Sequence, residues 1–316
     1  MERVLITGGA GFIGSNIAHS LVRKGYRVTV LDNLSTGSKK NISDIIKKIK
    51  FVRGDIRNYQ TVRRTMHNHD FVLHQAALPS VPRSIQNPRA SHDNNINGTL
   101  NVLLAARDYK IKKVVLASSS SVYGNRKAPK TGNIQTKREY MKPMPLSPYA
   151  VTKLVSEYYA KVFSHIYNLH TVCIRYFNVF GPRQNPQSEY AAVIPKFITC
   201  LLHNQRPVIF GNGKQTRDFT YIDNVVRANI LAMKSPATVS GETINIACGN
   251  SYSLLDLVSQ LNKIIGTAIK PVFAPERTGD VKHSLADISK AKRLLHYQPW
   301  VSFEKGLKET VMWFTK

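Results

Sequence analysis

Apolar residues along this chain alternate between short continuous runs and longer stretches in which they recur every three or four positions. Runs at 3–7, 27–31, 51–54, 71–74, 113–117 and 171–177 have the length of strands buried on both faces. The stretch from Gly14 to about Lys24 keeps the period of a helix, as does one from Pro88 to Tyr109 with the stripe Ile96, Leu100, Leu103 and Leu104. A third helical stretch opens at Pro148 and carries Val151, Leu154, Val155, Tyr158, Tyr159 and Val162. Strands alternating with amphipathic helices predict an α/β chain with a parallel, doubly wound sheet, because parallel neighbours need a crossover element between them. Past Asn178 the alternation loosens, with a helix expected near Ala191–Asn204 and a short strand at Val208-Ile209-Phe210. A first domain of residues 1–177 and a smaller α/β domain of residues 178–316 are therefore expected.

The first run leads into Gly8-Gly9-Ala10-Gly11-Phe12-Ile13-Gly14. Glycines at this spacing between a strand and a helix permit a tight turn, bring backbone N–H groups to a pyrophosphate and let the helix approach the sheet closely. The second run ends in Asp32, about twenty residues beyond the glycines, where a carboxylate binds the hydroxyls of an adenosine ribose. Asn33 and Leu34 follow it and offer no cation to a 2′-phosphate, so the expected cofactor is NAD rather than NADP. Asp55 and Ile56, after the third run, are expected to flank the adenine. Gln75, Ala76 and Ala77, after the fourth, give small residues against which a cofactor can lie. His74 is expected to be a satisfied core histidine.

Composition adds one unusual quantity. With 316 residues, 42% hydrophobic and 9% aromatic, the chain can bury a sizeable core, but 45 Lys and Arg against 19 Asp and Glu give a formal net charge of +26. Such a charge attracts phosphates, nucleic acid or an anionic membrane surface. The cations are dispersed as pairs, Lys39-Lys40, Lys47-Lys48, Arg63-Arg64, Lys112-Lys113 and Lys137-Arg138, which points to a solvated basic surface and away from a nucleic-acid site. No apolar run reaches the roughly 18 residues of a membrane span, and Met1-Glu2-Arg3 leads straight into a strand, so a cytosolic protein is expected. Cys173, Cys200 and Cys248 have neither metal nor redox spacing; buried free thiols and no metal site are expected.

The candidate chemistry lies in Ser147-Pro148-Tyr149-Ala150-Val151-Thr152-Lys153. A four-residue step puts Tyr149 and Lys153 on one helix face, one turn apart. A phenol titrates near 10 in isolation (pKa about 10), and an ammonium fixed beside it favours the phenolate, which makes the pair a candidate general base. Pro148 suits the first turn of that helix. Ser118-Ser119-Ser120-Ser121 follow the fifth run, and ligands bind at the carboxyl ends of strands in such sheets.

The glycine motif, Asp32, the serines before Val122-Tyr123-Gly124, and Tyr149 with Lys153 together resemble the extended short-chain dehydrogenase/reductase family, specifically its nucleotide-sugar epimerases. The resemblance spans nearly the whole chain. It is strongest toward the UDP-N-acetylglucosamine 4-epimerase subgroup, through residues 75–84, 175–183, 190–195 and 279–289. It implies a Rossmann-type sheet, NAD, a UDP-sugar substrate, a homodimer formed through a helix bundle that includes the Tyr149 helix, and the return of segments near 222–247 to the first domain. It also implies residue roles. Ser119, four residues before Tyr123, joins Tyr149 and Lys153 as the catalytic hydroxyl, while Asn94 and Phe177 contact the cofactor. Ser80 and Ser120 contact the sugar. Asn178, Ala192, Val193, Lys196, Arg217, Arg277 and Asp280 surround the uridine diphosphate, with Val208 and Phe210 against the uracil. Ser284 stands at the position that gates the pocket for the sugar's 2-substituent.

The implied reaction is 4-epimerisation through a 4-keto sugar, foremost between UDP-GlcNAc and UDP-GalNAc, with UDP-Glc/UDP-Gal and the uronates left open. A 4,6-dehydratase of this family carries Asp-Glu where Ser120-Ser121 stand, and a non-catalytic binding relative lacks the Tyr or the Lys. The segment Asn125–Leu146 is longer and more basic than in the family and is expected to form a loop.

Overall fold

A computed structural model describes residues 1–125, 135–186, 192–276 and 282–315. The apolar runs form β1 (Arg3–Thr7), β2 (Arg27–Asp32), β3 (Lys50–Arg53), β4 (Phe71–His74), β5 (Lys113–Ser119) and β6 (Thr171–Tyr176). With a later strand, Glu242–Ile246, they make a parallel seven-stranded sheet in the order Glu242–Ile246, β6, β5, β4, β1, β2, β3. The doubly wound sheet is thus present. Its order reverses between β1 and β4, and the crevice beyond the carboxyl ends of such a pair is where this architecture binds ligands.

Alternate residues of each strand feed opposite cores. Val4 and Ile6 of β1 pack with Ile17 and Leu21 of the first helix, α1 (Phe12–Arg23), and with Val225 of the helix Ile222–Lys234. Leu5 packs on the other face with Val62, Val102 and Phe163, from the helices Tyr59–Met66, Gly98–Asp108 and Pro148–Tyr167. Both faces are covered, which is why these strands read as continuous apolar runs.

The stretch expected as one helix from Pro88 to Tyr109 is instead three pieces: Pro88–His92, a π-helical turn Asp93–Asn97, and Gly98–Asp108. The extra residue of a π turn shifts the faces of the flanking helices, and such turns concentrate at functional sites. The Pro148–Tyr167 helix starts where expected, with the Ser147 side chain accepting from Ala150 N at 3.2 Å. It ends at Asn168 in the left-handed conformation.

Beyond β6 a helix runs Val193–Leu202, Val208–Phe210 pairs with Val272–Ala274, and Thr216–Arg217 pairs with both His283–Ser284 and Tyr252–Ser253. Residues 135–146 are irregular, as expected of a loop, but they are anchored. Lys137 N donates to Leu285 O at 2.7 Å and Met144 N to Val122 O at 2.9 Å. Among the described residues no helix is long and apolar enough to cross a membrane, and no cluster of His, Cys, Asp and Glu could hold a metal ion.

Candidate active site

β1 turns into α1 through the glycines. Gly8 has φ +70°, and a Cβ there would lie 2.6 Å from Ala76 N; a Cβ on Gly14 would lie 2.2 Å from Gly8 O. Neither position has room for a side chain, so the turn brings β1, α1 and the end of β4 together at backbone distance. Gly11 caps α1 without a side-chain hydrogen bond, leaving its first-turn N–H groups without a side-chain partner at the positive end of the helix dipole. Asp32, at the end of β2, is buried and accepts from Ala10 N at 2.9 Å and Leu34 N at 2.8 Å. It fixes the glycine turn while its carboxylate borders the crevice.

That crevice is a cleft of about 670 Å³. It is lined by Gly8, Gly11, Phe12, Ile13, Gly14, Asp32, Asn33, Ile56, Gln75, Ala76, Ala77, Ser80, Asn94, Tyr149, Lys153 and Ala192, so sixteen of the site residues expected from the sequence meet in one place. The donor set suits a dinucleotide: a glycine cradle that any Cβ would fill, an uncapped helix start, and a carboxylate at the end of β2. The buried Gln184 Oε1, on the same cleft, has no hydrogen-bond partner among the described residues. Asn94 lines the cleft from the π turn, and its neighbour Asn95 faces inward, accepting from Leu78 N at 2.7 Å and donating to Thr152 Oγ1 at 3.0 Å. Ser80 has φ +99° at the start of the helix Val81–Gln86, a strained geometry of the kind found at binding sites.

Tyr149 reaches the end of β5, where the Ser119 hydroxyl lies beside its phenol and favours the phenolate. Lys153 Nζ donates to Ala117 O at 2.8 Å and lies 5.9 Å from the Tyr149 ring centre. The electrostatics differ from the sequence-based expectation. Burial pushes Tyr149 up to about 12 against the Ser119 hydroxyl, and it pushes Lys153 down to about 8 against its neighbours Cys173 and Glu157. Desolvation outweighs the pairing in the protein by itself. His74 is the core histidine expected: Nδ1 meets Thr7 Oγ1 at 2.7 Å, Nε2 meets Thr99 Oγ1 at 2.9 Å, and burial pushes it down to about 3.

A second cavity, of about 260 Å³, is lined by Asn178, Ala192, Val193, Val208, Phe210 and Arg217 together with Phe180, Phe197, Gln215, Phe219 and Leu254. It shares Ala192 with the large cleft. Lys196 stands one helical turn beyond Ala192, outside both linings. Ser284 is buried behind this cavity, paired in register with Arg217, and Asn178 Nδ2 lies 3.5 Å from its hydroxyl. Asp218, fully buried, accepts from Cys248 N and Gly249 N at 3.0 Å and Ala286 N at 3.2 Å, which ties two other segments to its own behind the cavity.

Some expectations are displaced. The Phe177 side chain is fully buried with Val122, Tyr123 and Ala247 and does not line the cleft; Tyr176, one residue earlier, does. Consecutive residues near a strand end face opposite ways, so a one-residue error exchanges core for cleft. Asp55 turns onto its own loop, accepting from Arg57 N and Nε and from Asn33 Nδ2, and is outside the cleft lining. Ser118 lines the cleft with its Oγ bonded to Glu157, Ser119 stands beside Tyr149 without lining either cavity, and Ser120 begins a 3₁₀ turn and also lines neither. Arg277 and Asp280 lie outside the described residues. Arg83, Gln184 and Asn185 line the cleft without having been singled out as site residues; Arg83 lay within the stretch 75–84 that carried the resemblance.

A profile described as "NAD dependent epimerase/dehydratase family" matches residues 4–247. The chain is 37% identical, over 99% of its length and 96% of the other's, to a UDP-glucuronate 4-epimerase of Thermodesulfobacterium geofontis. Its structure is similar to that of a UDP-N-acetylglucosamine 4-epimerase from Methanobrevibacter ruminantium in complex with UDP-N-acetylmuramic acid, with a TM-score of 0.92, 40% identity, and coverage of 99% and 98% of the two chains. It is also similar to the Thermus thermophilus UDP-glucose 4-epimerase in complex with NAD, with a TM-score of 0.89, 34% identity and coverage of 99% of each chain.

Proposed function

The chain belongs to the NAD dependent epimerase/dehydratase family, and on that basis we propose that it is a cytosolic NAD-dependent UDP-sugar 4-epimerase acting foremost on UDP-GlcNAc and UDP-GalNAc. The observation that carries this reading is the junction of two cavities, one fit for a dinucleotide and one for a nucleotide, at Ala192, with Tyr149 and Lys153 lining the larger and Ser119 beside Tyr149. Relatives that share the fold are named for glucose, N-acetylglucosamine and glucuronate substrates. Fold therefore does not choose the sugar, and the residues around it must.

NAD⁺, when bound, would supply the hydride acceptor for carbon 4 of the sugar. Gly8, Gly11, Phe12, Ile13, Gly14 and Asp32 would hold it. Tyr149 accepts the proton of the sugar 4-hydroxyl and later returns it, which is general base and then general acid catalysis at one oxygen. Ser119, beside Tyr149, hydrogen-bonds the same sugar oxygen. Lys153 contributes its charge and stands where it can reach a nicotinamide ribose. Asn178, Ala192, Val193, Val208, Phe210 and Arg217 form the uridine diphosphate pocket, with the guanidinium of Arg217 suited to phosphate oxygens. Residues 1–177, with the segments near 222–247, form the cofactor domain, and the rest binds the nucleotide sugar. The helix Pro148–Tyr167 exposes Val151, Tyr158, Val162 and Ile166 along one side, an apolar stripe suited to the same stripe of a second copy.

Separate incubations with UDP-GlcNAc, UDP-Glc and UDP-GlcNAcA, followed by chromatography for the 4-epimer, test the assignment. UDP-GlcNAc is expected to give UDP-GalNAc. Turnover of the uronate alone would transfer the assignment to UDP-N-acetylhexosaminuronates, and turnover of UDP-Glc alone to a strict glucose epimerase.

A further inference from the structure

The helix face that carries Tyr149 and Lys153 continues, at the same four-residue step, to Glu157. Glu157 is buried and accepts three hydrogen bonds. Arg175 donates to it from Nε at 2.8 Å and from Nη2 at 2.6 Å, and Ser118 Oγ donates to Oε1. Ser118 and Arg175 are register partners on β5 and β6. One carboxylate thus joins the Tyr149 helix to both neighbouring strand ends, one residue before Ser119. The arrangement continues outward. The Arg175 guanidinium lies 4.6 Å from the Tyr123 ring centre, Tyr123 donates to Asn245 Oδ1 at 2.7 Å, and Asn245 N donates to Glu139 at 2.9 Å.

A buried ion pair is weak evidence for stability, since apolar groups of like volume often hold a core as well or better. What this pair does supply is position and charge. Its bond to Ser118 fixes the rotation of the peptide that presents Ser119. Resting on the roles proposed above for Ser119, Tyr149 and Lys153, we infer that Glu157 is a positioning residue of the reaction, holding the Ser118–Ser119 peptide against the Tyr149 helix and supplying the carboxylate charge beside Lys153.

Lys153 is surrounded by Tyr149 and Glu157 on its own helix, His74 from β4, and Cys173 from β6, with Arg175 beyond Glu157 and with Tyr123 and Glu139 behind Arg175. Burial pushes His74 down and the Cys173 thiol up, and Glu139 lies farther off behind Arg175, so of the groups that act on Lys153 the Glu157 carboxylate, paired with Arg175, is the one that supports its charge. Burial draws Lys153 down to about 8 and the Glu157 carboxylate resists that fall. Without it, Lys153 should lose its proton at lower pH.

Two variants test this. Glu157→Gln with Arg175→Met removes both charges together, so that no unpaired cation is left buried, and Ser118→Ala removes only the tether to β5. The double variant is expected to lose about tenfold or more in kcat at unchanged KM for the UDP-sugar, with the basic limb of its kcat–pH profile moved to lower pH. Ser118→Ala is expected to lose kcat without the shift in the limb. A merely structural role would lower stability and leave the limb in place. Parental kcat and parental pH profile in both variants would overturn the inference; if the double variant does not fold, parental kcat in Ser118→Ala overturns it alone. The unaltered protein is assayed first. If it epimerises no UDP-sugar the proposed function fails, whereas an active parent matched by its variants refutes only the role of Glu157.

Discussion

Tyr149→Phe is expected to lower turnover by roughly 10²- to 10⁴-fold, the range for loss of a general acid–base group, while leaving the cofactor in place. The substitution removes one oxygen from a partly buried ring whose helix is held by the Ser147 cap and by Asn95 on Thr152. Nothing in the glycine turn or around Asp32 depends on that oxygen. The purified variant should therefore release NAD(H) on denaturation in the parental amount. The ratio of the two effects carries the information. Loss of turnover with NAD(H) retained assigns Tyr149 to proton transfer, near-normal turnover removes it from that role, and recovery of NADP, or of no dinucleotide from either protein, contradicts the reading of Asp32.

Ser284→Tyr is expected to abolish interconversion of UDP-GlcNAc and UDP-GalNAc while sparing activity on UDP-Glc and UDP-Gal. Ser284 is 7% exposed, its strand is paired in register with Arg217, and its hydroxyl stands 3.5 Å from Asn178 Nδ2. A phenol there has to push past Asn178 toward the cavity that Asn178 lines, which on the proposed reading takes the nucleotide sugar. Exclusion of the larger substrate needs no contact with the reacting carbon. Retained activity on UDP-Glc doubles as the check that the variant is folded. Parental rates on the acetylated pair would show that Ser284 is not the gate.

What could be read in the residues beforehand was what depends on local spacing. The glycines, Asp32, and the Tyr149–Lys153 step are each fixed by a few neighbouring positions, and all of them line one cleft. Long-range geometry was less visible. Ser118 and Ser119 leave the end of β5 in different directions, and the partner that Ser118 finds, Glu157, lies 39 residues away in sequence. Tyr176 and Phe177 exchanged places for the same reason, at the end of β6. The π turn at Asp93–Asn97 carries no breaker residue; it is a tertiary effect, with Asn95 drawn inward to Leu78 and Thr152. The pairing expected to favour the Tyr149 phenolate was outweighed by burial, a quantity that no pattern of residues along the chain displays.

The claim at the centre of this reading is that carbon 4 of the sugar gives up a hydride and receives the same one back from a cofactor that never leaves. UDP-GlcNAc carrying deuterium at carbon 4, incubated with the purified protein without added dinucleotide and followed by mass spectrometry and NMR, tests it directly. UDP-GalNAc that keeps the deuterium at carbon 4 is the expected result. Product in which deuterium has been replaced by solvent hydrogen, or no epimer until NAD is supplied at substrate concentration, would contradict it.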